Sequence, residues 1–114
     1  MTTFAELGLS PKLLKALEKT NLQTPTPIQA QAIPYLMQGR DLMGLAQTGT
    51  GKTAAFGLPL LHRILDIGYP PAPRMVRALI LAPTHQIAPL HDIGDRLRLN
   101  RRRSLEVGFF KGFQ

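Results

Sequence analysis

Apolar residues fall in short blocks along this 114-residue chain, and proline or glycine separates most blocks from the next. Ser10-Pro11 precedes Lys12-Leu13-Leu14-Lys15-Ala16-Leu17. That order predicts a helix with Ser10 as N-cap, Pro11 at the first helical position, and residues 13, 14 and 17 on the apolar side. Asn21 is expected to stop it. Thr24-Pro25-Thr26-Pro27 cannot lie inside a helix and reads as an extended loop. A second helix is expected from about Pro27 to Leu36. Thr26 would cap it, and Ile28, Ala32, Ile33 and Leu36 would share a face. Pro34 is expected to end or bend it, and Gly39-Arg40-Asp41 to turn the chain.

Asp41 to Ala46 is a short apolar run of the kind that forms a buried strand. Gln47 to Gly51 reads as a loop. A helix is expected from Lys52 to about Asp66, with Phe56, Leu60, Ile64 and Leu65 as its stripe and a kink or shortening at Pro59. Gly68 to Pro73 is a loop of extended character. Val76 to Ala82 reads as a second strand, ended by Pro83-Thr84. A helix over His85 to Leu99, a basic turn at Arg101-Arg102-Arg103 and a third strand begun by Ser104 to Phe110 complete the pattern. Strands that alternate with helices predict an α/β fold, a parallel sheet with flanking helices. Its natural division is a helical region over 1–38 and an α/β region over 39–114.

Composition narrows the partners. With 44% hydrophobic and 18% charged residues the chain is neither a disordered tail nor a membrane span, and its length allows one domain at most. No apolar run approaches the ~20 residues of a membrane span. The N-terminus has neither the basic start nor the apolar core of a secretory signal. The absence of cysteine excludes a disulfide scaffold and a Cys-ligated zinc site, and it suits a reducing, cytoplasmic setting. The net charge of +7 favours an anionic partner. The excess is uneven: 8 basic and 3 acidic side chains fall in residues 74–114, against 6 and 4 in residues 1–73.

Ala46-Gln47-Thr48-Gly49-Thr50-Gly51-Lys52-Thr53 has the form of a phosphate-binding loop. Ala46 stands where that pattern opens with glycine. Gly49 and Gly51 let the backbone curl so that its N–H groups converge on phosphate oxygens. Lys52 is placed for β- and γ-phosphates and the Thr53 hydroxyl for Mg²⁺, with a helix N-terminus behind them. Gln29 carries an amide that matches the edge of adenine. Taken alone it reads instead as a solvated polar residue of a first helical turn. Phe4 suits stacking on a base or, taken alone, anchoring the first helix. His62 and His91 have no partner at a telling spacing and receive no role.

Phe4, the Thr24-Pro25-Thr26-Pro27-Ile28-Gln29 string, Gly39-Arg40-Asp41, the loop from Ala46 to Thr53 and Ala82-Pro83-Thr84 together resemble the N-terminal part of a DEAD-box ATP-dependent RNA helicase. The resemblance is good from Phe4 to about Ala88 and weak beyond. It implies a partial RecA-like, P-loop NTPase domain that binds ATP with Mg²⁺. It implies that Gln29 selects adenine with support from Thr26 and Phe4, and that Pro83, Thr84 and His85 face RNA. There the family carries an arginine where this chain has His85, so a permanent forked cation is lost and a weak, sequence-blind and salt-sensitive contact is expected. Asn21-Leu22 replaces the glycine and aromatic that open the family's adenine motif, and Gln86 replaces a carboxylate.

The family's Asp-Glu-Ala-Asp and Ser-Ala-Thr motifs and its second RecA-like domain are not found in these 114 residues. The resemblance therefore implies a truncated helicase region without independent ATPase or unwinding activity. It also places the strands at 42–46 and 79–82 parallel but not adjacent. Two other readings stay open: a stand-alone nucleotide- or RNA-binding or regulatory module, and the non-functional product of an interrupted gene.

Overall fold

The computed structural model describes residues 2–20, 22–47, 49–69, 72 and 75–81. Among the described residues three helices form: α1 (Pro11–Leu17), α2 (Pro27–Met37) and α3 (Lys52–Ile67). No helix among the described residues is long and apolar enough to cross a membrane.

The chain turns before α1 because Thr3 and Glu6 cap each other. The Thr3 N–H donates to Glu6 Oε2 at 2.7 Å, and the Glu6 N–H donates to Thr3 Oγ1 at 3.3 Å. This turn sends Phe4, Leu7 and Leu9 inward. Ser10 caps α1 as expected, its hydroxyl accepting the Leu13 N–H at 3.4 Å. The helix ends at Leu17. Thr20 takes up the Leu17 carbonyl at 2.8 Å, a closing role that the sequence pattern assigned to Asn21, which lies outside the described residues.

α2 runs through Pro34 and ends at Met37, so that proline does not terminate it. α3 also continues past Pro59 and is not shortened. A proline costs an interior helix about 3 kcal/mol; burial of the Pro59 ring against the core offsets part of that. Gly68, with φ +71°, closes α3 in the left-handed conformation.

The core gathers Phe4, Leu7, Leu9, Leu13, Ala16, Leu17, Ile33, Ala54 and Leu58. α2 packs along α3, and α1 touches α3 more lightly. The buried face of α3 differs from the expected stripe. Ala54, Ala55, Gly57, Leu58 and Pro59 are buried, while Phe56 is exposed and Leu60, Ile64 and Leu65 are half-buried. The buried face is the one with small residues, because these admit a neighbouring helix closely where bulky ones would hold it off.

The expected strands do not form among the described residues. Residues 41–46 and 76–81 carry no backbone ladder, and Met43 and Leu45 are 90% and 91% exposed. Val76, Leu79 and Leu81 are also exposed. A strand exists only through its partner, and neither segment has one here. The predicted elements beyond residue 81, from the His85 helix to the third strand, lie outside the described residues.

Leu58, fully buried, anchors this packing. Leu58→Ala should lower unfolding free energy by about 2–5 kcal/mol, read by urea titration, while Phe56→Ala should cost under about 1 kcal/mol.

Candidate functional site

Gly49 and Gly51 hold φ of +83° and +85°, the left-handed backbone that the curled loop requires. Gly51 is the N-cap of α3, and its carbonyl accepts the Ala55 N–H at 3.2 Å, closing the first turn. The loop is tied to itself from inside. Thr50 Oγ1 donates to the Gln47 carbonyl at 2.6 Å, and Lys52 Nζ donates to the Ala46 carbonyl. Lys52 is exposed, and Thr53 is half-buried in the first turn. Thr48 lies outside the described residues.

Gln29 meets this loop from α2. It is the one buried polar residue among those described and is 0% exposed. Its Oε1 accepts the Thr26 N–H at 3.0 Å, which caps α2. Its Nε2 donates at 3.0 Å to the Gly51 carbonyl. The two partners fix the orientation of the amide, since only oxygen can accept from Thr26 and only nitrogen can donate to Gly51. The Thr26 hydroxyl sits over the first turn in the capping-box position without closing a bond of normal geometry, and it is buried with no partner. A Cβ on Gly51 would lie 2.4 Å from Gln29 Nε2 and 3.2 Å from Thr26 Oγ1. Thr26, Gln29 and Gly51 thus form one tight contact between residues far apart in sequence.

Phe4 is elsewhere. Its ring is 4% exposed and packs in the core with Ala54 and Leu58 of α3, so it anchors the N-terminal turn and presents no open stacking face. Pro83, Thr84 and His85 lie outside the described residues. His62, which the sequence pattern left without a role, accepts the Ser10 N–H on Nδ1 at 3.1 Å. The residues are 52 positions apart, so no local pattern signals the contact.

The arrangement is a glycine-curled loop at a helix N-terminus with a buried amide pinned to its last glycine. The DEAD/DEAH box helicase family model matches residues 26–103. The chain belongs to that family. The match opens at Thr26, the α2 cap, and includes the whole phosphate loop. The DEAD-box ATP-dependent RNA helicase CshA of Bacillus cereus is 46% identical over 104 residues, which are 87% of this chain and 19% of that protein. The ATP-dependent RNA helicase DeaD of Klebsiella pneumoniae is 52% identical over 87 residues, 76% of this chain and 13% of that one. In the crystal structure of the RNA-helicase Prp28 from Chaetomium thermophilum bound to ADP, the matched part has a TM-score of 0.71 at 41% identity. The match covers 85% of this chain and 25% of Prp28. The structural neighbour of this DEAD-box chain is thus a helicase RecA-like domain, and the chain spans about a fifth of the length of its first curated relatives.

Gly51→Ala should damage the site twice, through its left-handed backbone and through the collision with Gln29. The expected loss is more than about 1 kcal/mol of stability. Combining it with Gln29→Ala should recover the collision part and leave the backbone part, giving a non-additive double-mutant cycle in chemical denaturation.

Proposed function

We propose that this chain is the adenine-nucleotide-binding region of a DEAD-box RNA helicase, with ATP and Mg²⁺ as its ligands. The observation that carries this reading is the Gln29–Gly51 hydrogen bond, which joins an adenine-matching amide to the phosphate loop. Gln29 Nε2 has a second N–H and Oε1 a second lone pair beyond the bonds they make here. Those suit N7 and the N6 amine of adenine, so a base could be read without releasing Thr26 or Gly51. Gln29 is fully covered, and nucleotide binding has to uncover it.

The residues present fit the phosphates. The left-handed Gly49 and Gly51, the N-terminus of the 16-residue α3 and the exposed Lys52 form a positive cradle. Bound Mg²⁺ would neutralise charge on the phosphates. Lys52 would leave the Ala46 carbonyl for the β- and γ-phosphates, and Thr53 would offer its hydroxyl to the ion. Ala46, Gln47, Thr48 and Thr50 complete the cradle; Thr26 supports the adenine side directly, and Phe4 contributes only from the core, in the cluster that holds Ala54 and Leu58 of α3. Residues 1–38 form the adenine-motif region and residues 39–114 part of a RecA-like domain with a parallel sheet, in a cytoplasmic protein. RNA is contacted weakly and without sequence preference, by Pro83, Thr84, His85 and the basic residues after 74.

Hydrolysis asks for more than these residues supply: a group that orients the attacking water and cations that meet the departing phosphate. Exposed Met43, Leu45, Leu79 and Leu81 also favour a region that needs further polypeptide over a self-sufficient module.

ATP should bind more tightly than GTP, and Gln29→Ala should abolish the difference, measured by calorimetric titration. Equal affinity of the unaltered chain for both nucleotides overturns the adenine-reading role. The 114 residues alone should release phosphate at no more than background rate. An arginine finger by itself is worth roughly 10³–10⁵ in turnover. RNA-stimulated phosphate release that Lys52→Ala removes would show a complete catalytic site.

A further inference from the structure

Two hydrogen bonds between side chain and backbone join distant parts of the chain among the described residues, and both end on α3 or its cap. Gln29 holds the Gly51 carbonyl, and His62 Nδ1 accepts the Ser10 N–H at 3.1 Å. The second bond has no place in nucleotide recognition as described above. Ser10 closes the arm that begins at Phe4 and also starts α1. The arm lays Phe4, Leu7 and Leu9 into the same cluster as Ala54 and Leu58. Ala54 stands two residues after Lys52, so the arm is seated directly behind the first turn of the phosphate-loop helix.

Little else of a directional kind fixes that arm. α1 touches α3 only lightly, and apolar packing does not by itself set register. The Ser10 N–H belongs to the N-cap residue, and neither Oγ nor any backbone carbonyl within the helix receives it. His62 supplies the acceptor from the middle of α3. Losing the acceptor would leave a half-buried N–H unsatisfied and loosen the arm at its hinge with α1. With so few directional contacts holding the arm, one bond weighs heavily on the seated fraction.

We infer that His62 is a positioning residue for the nucleotide site: through Nδ1 it holds the Phe4–Ser10 arm against the back of the phosphate-loop helix. This rests on the nucleotide-binding reading above. His62 touches no nucleotide; it acts through the arm, and the arm supports the turn that carries Lys52 and Thr53.

The test compares His62→Asn with His62→Phe in the full 114-residue chain. Asparagine places Oδ1 where Nδ1 stands, and phenylalanine keeps the ring but removes the acceptor. His62→Phe should speed amide exchange at Ser10 and weaken ATP binding, each by about two- to tenfold, the counterpart of one lost hydrogen bond. His62→Asn should restore both. His62→Gln, equally polar with its acceptor one bond further out, should behave like His62→Phe and replaces it if that variant does not fold. Unchanged Ser10 exchange in His62→Phe overturns the tie. Faster exchange with unchanged ATP affinity overturns the positioning role, as does a folded His62→Asn that fails to rescue. If the unaltered chain binds no ATP, the nucleotide-site reading falls and the positioning role with it, while Ser10 exchange still reads the tie.

Discussion

The Gln29 amide makes two bonds, and the described structure around the phosphate loop is organised on them. One bond closes the first turn of α2 through the Thr26 N–H, and the other reaches the Gly51 carbonyl at the start of α3. A buried amide left unpaired costs far more than a paired one contributes, so both partners are constrained to stay in place. Gly51 is constrained in turn. Its φ of +85° and the 2.4 Å approach of Gln29 Nε2 to a would-be Cβ leave no room for a side chain. The Gly51 carbonyl serves two donors, the Ala55 N–H within α3 and Gln29 across from α2. The loop is therefore built from its rear, while Lys52 and the backbone that would meet phosphate stay at the front.

α3 is the second organising element. Its small residues let α2 and the N-terminal arm approach, and Leu58 fills the space between them. The helix therefore packs against both neighbours, and its own N-terminus carries the glycine-curled loop. Pro59 would be an error in an exposed helix, but buried on this face it costs less than its propensity suggests.

The two apolar runs at 41–46 and 76–81 behave differently from the helices. A helix satisfies its own backbone, so α2 and α3 form and pack within the described residues. A strand cannot, and Met43 and Leu45 stand exposed beside an unpaired backbone. The relatives supply several times more chain than is present here. For the same reason the RecA-like character of these residues rests on family membership and on the structural neighbour, and the ladder adds nothing to it among the described residues.

By itself the sequence determined the local pieces. Ser10-Pro11 set the start of α1 and Pro27 that of α2. Gly49 and Gly51 bracketed the loop before Lys52. The spacing of the adenine and phosphate motifs pointed to the DEAD-box family. Each of these follows from a side chain acting on its own backbone or on neighbours within a few residues. The Thr3–Glu6 turn has a local signature of the same kind, a threonine followed three residues later by a glutamate. Only the tertiary structure decided which face of α3 is buried, that Phe4 faces the core, that Gln29 spends both ends of its amide on Thr26 and Gly51, and that His62 receives Ser10. Those outcomes depend on contacts spanning 22 and 52 positions, where many residues of similar polarity compete for each partner. Local pattern fixes neither the winner nor the strands at 41–46 and 76–81, because a long-range contact or a ladder exists only once another part of the chain is brought alongside.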